Sequence, residues 1–299
     1  KLSGVKSLGK TTLSANVDGE GFDFHSMKDD LTAKITYFDY NGYRYQNIDI
    51  NGKLEHKKFN GSFDINDKNL AIDFDGKFNL NQNPSYNFTA DIKRADFHAL
   101  KLMKDTLSIS TYISSNFTGT TIDNILGKLL FEGTKLTTKQ GSFDLDSIQV
   151  VSELRGDTAK RLILRSDMLN AGVEGKYKLT HLEGAFKSML SSYLPSFKWK
   201  KVNAHVPQNF KFGIYLKDLT PITSIFIPDL KIPEKGLFIG NFNSEKNQMT
   251  INGSIKKLKY QNFEVDNLIL DQGNSNESLF LNIALGTFAM DSLKFNDVG

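Results

Sequence analysis

The stretch LAIDFDGKFNL, from Leu70 to Leu80, sets the reading of the whole chain. Its even positions are Leu70, Ile72, Phe74, Gly76, Phe78 and Leu80, all apolar or glycine, while Ala71, Asp73, Asp75, Lys77 and Asn79 lie between them. Side chains of an extended strand point alternately to two faces, so this spacing predicts a long strand with one apolar and one solvated face. The flanks behave alike. Phe59, Gly61, Phe63 and Ile65 precede it, and Tyr86, Phe88, Ala90 and Ile92 follow, with NDKN and NQNPS as turn signals between the runs.

The same alternation recurs along the chain. Tyr43 and Tyr45 fall in one phase and Ile48, Ile50, Gly52 and Leu54 in the other, which predicts a bulge or bend near Gln46. Leu107, Ile109, Thr111 and Ile113 share a face, as do Met249, Ile251, Gly253 and Ile255, and then Leu279, Leu281, Ile283 and Leu285. Turn signals at intervals of about 8–14 residues fit an antiparallel meander. YNGYRYQNIDINGKL and INGSIKKLKYQNFEVDNLILDQG share a theme of aromatic, Asn, alternating aliphatics and Gly, which indicates a repeating architecture without a fixed repeat length.

One segment breaks the pattern. THLEGAFKSMLSSYLP places Leu182, Ala185, Phe186, Met189, Leu190, Tyr193 and Leu194 three and four residues apart, the signature of an amphipathic helix. Thr180 with Glu183 reads as a capping box, and Pro195 as the stop. Shorter helical turns are expected in ADFHALKLM and in TIDNILGKLL. Residues 204–236 hold Pro207, Pro221, Pro228 and Pro233 and read as irregular rim strands or a crossover, the best internal boundary. The predicted organisation is a β-repeat section over 1–180, the amphipathic helix over 181–195 and a continuing β-repeat section over 196–299.

Composition narrows the function. The 299 residues carry a net charge of +3 with both signs interspersed, so no basic run marks a nucleic-acid partner. Absence of cysteine removes disulfides, thiolate metal sites and thiol catalysis together. A mean hydropathy of −0.34 and the 23 Phe and 10 Tyr suit half-buried pleated surfaces. No run approaches the roughly 18 apolar residues of a membrane span. The chain begins without Met and stops in mid-pattern, and is read as a section of a longer protein whose anchor lies outside it.

Gly4 to Thr11, GVKSLGKT, matches the phosphate-binding G-x-x-x-x-G-K-[ST] pattern. Such a loop needs a helix opening at its Lys-Thr. After Lys10 and Thr11 comes TLSANVDGEGFDF, in which Leu13, Ala15 and Val17 alternate as a strand, so Gly4, Gly9, Lys10 and Thr11 read as a chance match with the two glycines as bends. His25, His56, His98, His181 and His205 are isolated, without metal-ligand spacing. Asp73 with Asp75, and Asp144 with Asp146, share the wet face and read as solvated charge. Five N-x-[ST] sequons and four Asp-[Ser/Thr] pairs followed by aliphatic or small residues are weak modification signals. No enzymatic constellation, metal site or cofactor site emerges.

What remains to be explained is the apolar face. A helix of about 14 residues is roughly 21 Å long and cannot cover so many strands. Either sheets cover each other, or the face stays open as a groove able to take apolar chains, each buried CH₂ contributing about 0.8 kcal/mol.

NGYRYQNIDINGKLEHKKFNGSFDINDKNLAIDFDGKFNL resembles the repeating strands of the TamB and AsmA-like family of Gram-negative envelope proteins, and LILRSDMLNAGVEGKYKLTHLEGAFKSMLSSYLPS is similar to their strand pair, helix and proline. The resemblance implies an all-β fold: a long, curved, mainly antiparallel sheet forming an open, taco-like half-tube with a hydrophobic inner face. It implies a periplasmic location, an inner-membrane anchor, phospholipid as cargo moving toward the outer membrane, and for some members an Omp85-type outer-membrane barrel as partner. Under it, Leu70, Ile72, Phe74, Phe78, Leu80, Phe88 and Ile92, with Met249, Ile251, Ile255, Leu281 and Ile283, would line the groove and contact acyl chains without chemistry. The competing expectations are a scaffold for barrel assembly that receives strands at its sheet edges and a closed β-sandwich adhesin.

Overall fold

The computed structural model describes residues 8–20, 28–194, 206–274 and 278–299. The fold is all-β. Its strands belong to one large antiparallel sheet that is not closed into a barrel. The chain divides into two compact units, Lys1–Thr120 with Gly127–Ile148, and Thr121–Leu126 with Gln149–Gly299.

In the first unit, β1 (Leu8–Glu20), β2 (Lys28–Tyr40), β3 (Tyr43–Glu55), β4 (Lys58–Asn66), β5 (Leu70–Asn79), β6 (Ser85–Asp96) and β7 (Leu107–Thr118) each pair antiparallel with the next. β8 (Leu126–Thr138) follows, and β9 (Gly141–Arg155) begins in this unit and continues from Gln149 as part of the second. In the second unit, β10 (Ala159–Ser166) pairs with β11 (Leu169–Lys176), and β11 with β12 (Asn209–Leu216). After β13 (Leu230–Lys231) come β14 (Gly236–Asn243), β15 (Gln248–Tyr260), β16 (Phe263–Asn274), β17 (Leu279–Met290) and β18 (Leu293–Val298), again paired in order, with β12 against β14.

The hairpins are tight because the sequence supplies residues that tolerate positive φ. Asn41 (φ +50°) and Gly42 (φ +76°) make a two-residue turn between β2 and β3. In the predicted NDKN turn, the Asp67 carboxylate accepts a hydrogen bond from the Asn69 N–H at 2.8 Å, closing an Asx turn.

The phase change near Gln46 is a bend rather than a bulge. Ile35↔Ile48 and Tyr37↔Gln46 belong to one unbroken register between β2 and β3, so no extra residue is inserted. Asn47 instead adopts φ +54° within the strand, and the facing flips on both strands at once, from Ile35 and Ile48 to Phe38 and Tyr45. The same device sits in β16 at Asn267 (φ +52°) and in β18 at Asp297 (φ +52°). Each lies four residues after the first residue of its strand: Tyr43, Phe263 and Leu293. YNGYRYQNI, YQNFEVDNL and MDSLKFNDV are therefore three copies of one hairpin module, the third of which the sequence reading did not single out.

Two helices are present among the described residues. α1 (Leu182–Tyr193) follows a 3-10 turn at Leu179–His181, as the spacing predicted. The capping box is corrected: the N-cap is His181, with no side-chain cap bond, and the Thr180 hydroxyl donates to the Asp123 carboxylate instead. α2 (Thr220–Phe226), with Pro221 in its first turn, lies in the segment expected to be irregular rim strands or a crossover, where no helix was foreseen. TIDNILGKLL forms the single helical turn expected there, Ile125 N–H to Thr121 C=O, and then enters β8. In ADFHALKLM the Leu100 N–H bonds to the Asp96 C=O, the single helical turn expected there, not continued into a helix.

Candidate functional site

Cross-strand pairs put their side chains on one face, which lets the apolar surface be traced residue by residue. In the first unit, Phe59 lies opposite Phe78 and Phe78 opposite Tyr86, which is opposite Phe117. Two residues along, Gly61, Gly76 and Phe88 form the next rung, and then Phe63, Phe74 and Ala90. The rings meet closely. Phe63 stacks on Phe74 at 4.4 Å, and Phe74 lies 5.2 Å from both Phe78 and Phe88. Phe78 sits 6.1 Å from Phe59, and Tyr86 stacks on Phe117 at 4.8 Å.

Glycine in this band is a steric requirement. A Cβ on Gly52 would stand 2.7 Å from the Phe59 ring, and one on Gly76 would stand 2.3 Å from Phe88 Cβ, so rings lie across bare backbone.

The predicted lining residues share this face with different exposures. Phe74 is buried, at 6 % exposure, by rings of its own sheet, whereas Leu70, Ile72, Phe78, Phe88 and Ile92 are half-buried. Leu80 lies past the end of β5, 43 % exposed, where its N–H bonds the Lys57 carbonyl in the hairpin end. One segment packs over part of the face: Leu100, fully buried, sits against Tyr43, Tyr45 and Ile48 with Ile35, Ile50, Ile65 and Leu70 around it. The Tyr43 hydroxyl donates to the buried Asp67 carboxylate, and burial followed by that bond pushes its pKa up to about 12.

In the second unit the corresponding face is occupied by protein. Phe210, Phe242 and Met249 lie in one rung, with Phe212, Gly240 and Ile251 beside them. α1 lies on this rung pair: Ala185 and Met189 are buried with Tyr177, Phe210, Phe242 and Met249, and Leu182, Phe186, Leu190 and Tyr193 pack around them with Ile251. Ile255 is buried with Leu216 and Ile232, beneath Leu219 and Leu230 of the α2–β13 segment. Met249 and Ile255, expected as groove lining, are thus buried here, and Ile251 is half-buried against the α1 cluster. Periodicity reported which face is apolar but not what sits on it.

α1 is tied down at both ends. Near its start, burial works against the ionised form of Asp123, but hydrogen bonds from the Thr180 hydroxyl and N–H, with the nearby Lys160 charge, hold its pKa below the usual carboxylate range. At its end the Tyr193 hydroxyl accepts from Asn274 Nδ2 at 2.6 Å and from Asn247 Nδ2 at 3.1 Å. Past the helix the apolar face runs on over Leu268 and Leu270 of β16 to Leu285, Ile283 and Leu281 of β17. Leu281 and Ile283 are 55 % and 45 % exposed.

The remaining motifs find these places. Gly9, Lys10 and Thr11 lie inside β1, so Gly9 is strand rather than bend and no helix opens at Lys10; Gly4 lies outside the described residues. Asp73 pairs with Lys93 on the wet face, where burial and the Asp73 charge raise the Asp64 pKa. His25 and His205 lie outside the described residues. Among the described residues, no three His, Asp or Glu side chains converge as a metal site, and no helix is long and apolar enough to cross a membrane.

The sequence signals missed were the aromatics that bracket α1, Tyr177, Phe210 and Phe242, which alternate as strand residues like any others. Comparison of the chain with protein-family models, with curated proteins and with solved structures found no match.

Proposed function

We propose that this chain is a section of a periplasmic bridge-like protein whose apolar sheet face carries phospholipid acyl chains between inner and outer membranes, with an anchor and an Omp85-type partner outside the section. The reading asks for no covalent chemistry. Its support is the band of half-buried rings Phe59, Phe78, Tyr86, Phe88 and Phe117, edge-to-face and stacked, in a first unit whose described residues include no helix. An unbranched chain lying along such a band would bury its methylenes at about 0.8 kcal/mol each. It would meet little directional chemistry, which suits cargo of varied headgroup.

The experiment is native mass spectrometry and lipid extraction of the purified protein, beside a Phe78→Glu/Phe88→Glu variant. Co-purifying phospholipid that is lost from the variant, with its β-sheet circular dichroism unchanged, is the expected result. A lipid-free wild type, or equal lipid in both proteins, would overturn the proposal.

A further inference from the structure

On the polar face of the second unit, opposite α1, two glycines leave a dent in the sheet. Ile163, Gly172 and Gly213 are consecutive cross-strand partners on β10, β11 and β12, and Gly213 lies opposite Ile239 on β14. The dent is therefore two strands wide, about 10 Å, between two isoleucine side chains. Its floor is bare. A Cβ on Gly172 would meet only the Leu162 carbonyl oxygen at 3.9 Å, and one on Gly213 only Ile239 Cγ2 at 3.9 Å. Steric crowding does not require glycine at either place, in contrast to Gly52 and Gly76.

The walls are charged. Two residues along in one direction stand Arg161, Glu174 and Lys211, and two along in the other Arg165, Asn170 and Tyr215, each wall about 7 Å from the floor row. Glu174 is shared, 3.5 Å from Arg161 and 3.8 Å from Lys211, and Arg165 donates to Gln149 at 3.2 Å. Three cations thus face one carboxylate around an open cavity of about 300 Å³.

We propose that this dent binds a phosphate group, as a phosphomonoester. The excess of two positive charges matches the charge of about −1.5 to −2 that such a group carries near neutral pH. Two guanidinium groups on opposite walls offer forked N–H donors fitted to phosphate oxygens, and Lys211 adds a mobile charge. The glycine floor lets the group settle against backbone rather than on top of side chains. The site stands on the wet face and is independent of the acyl-chain reading. The phosphate could belong to a lipid headgroup or to a free metabolite.

The test is calorimetric titration of the whole chain with glycerol 3-phosphate and with inorganic phosphate, and flotation with phosphatidic acid vesicles against phosphatidylcholine vesicles. Wild type is expected to bind saturably, Lys211→Gln and Arg165→Gln at least fivefold more weakly, and Gly213→Val not at all. Valine at 213 fits the strand and leaves every charge in place, so unchanged thermal stability shows that the site and not the fold was removed. Binding of the soluble ester marks a free phosphomonoester as ligand; binding confined to phosphatidic acid vesicles and lost in Gly213→Val marks a headgroup. No saturable binding to any probe, or binding that persists in Gly213→Val, would overturn the proposal, the latter because it would show only a diffuse positive field.

Discussion

Single residues decide where the apolar face turns over. Asn47 and Asn267 sit at φ +54° and +52° inside strands, a conformation that costs L-residues roughly 1–2 kcal/mol and that Asn tolerates better than most. A β-branched side chain at this φ is worse placed still. Asn267→Val should therefore lower stability by about 1–2 kcal/mol while Asn267→Gly stays close to wild type, read by urea denaturation. Equal loss in both would show that the Asn side chain, not its φ, is what matters. Asp123 is the other residue with a measurable signature. Its folded pKa is lowered, so its contribution is present above the ordinary carboxylate pKa of about 3.9 and is lost as pH falls through the folded value. The protection of α1 amides, taken relative to intrinsic exchange at each pH, should fall below about pH 4 in wild type. Asp123→Asn should show lower protection already at neutral pH, by the equivalent of about 1 kcal/mol, and little further change on acidification.

At the scale of elements, α1 owes its existence to docking. A helix of 12 residues is marginal alone, and two of its residues, Ala185 and Met189, are buried against the sheet. Met189→Ala should cost about 2–4 kcal/mol and release the helix before the strands melt, seen as lost helical circular dichroism at a temperature where the β signal persists. A single cooperative loss would refute that order. The strands and α1 were legible in the sequence because period two and period 3.6 are local signals that single residues such as Phe74 or Met189 carry on their own. α2 was not, since Pro221 reads as a strand breaker until its place in the first turn of a helix is known. The capping box failed for a related reason: Thr180 does cap a charge, but that of Asp123, 57 residues away, which local spacing cannot reveal. While Phe210 of β12 and Phe242 of β14 were missed, the apolar face was legible over β3 to β7, β15 and β17. Its cover was not, because Met249 and Phe74 show identical alternation although one lies under a helix and the other under rings of its own sheet.

For the whole molecule the question is how much apolar face the chain covers with its own residues. α1 is about 18 Å long, which spans about four strand spacings, and the cluster it docks into draws residues from β10, β11, β12, β14 and β15. In the first unit the rings of β4, β5, β6 and β7 pack on one another; in the second, Leu281 and Ile283 of β17 are about half exposed. If acyl chains occupy that surface, they bind the folded state alone and stabilise it by RT ln(1 + [L]/Kd), about 2.7 kcal/mol at a hundredfold excess over Kd. Detergent extraction followed by its removal should then lower the melting temperature by several degrees, and adding back phospholipid should restore it. In Phe78→Glu/Phe88→Glu the same treatment should leave the melting temperature unmoved, because the surface that takes the chains is charged. A wild type whose melting temperature ignores extraction would mean that the rings of the first unit bury enough of one another to need no ligand, and the band would then be core rather than conduit.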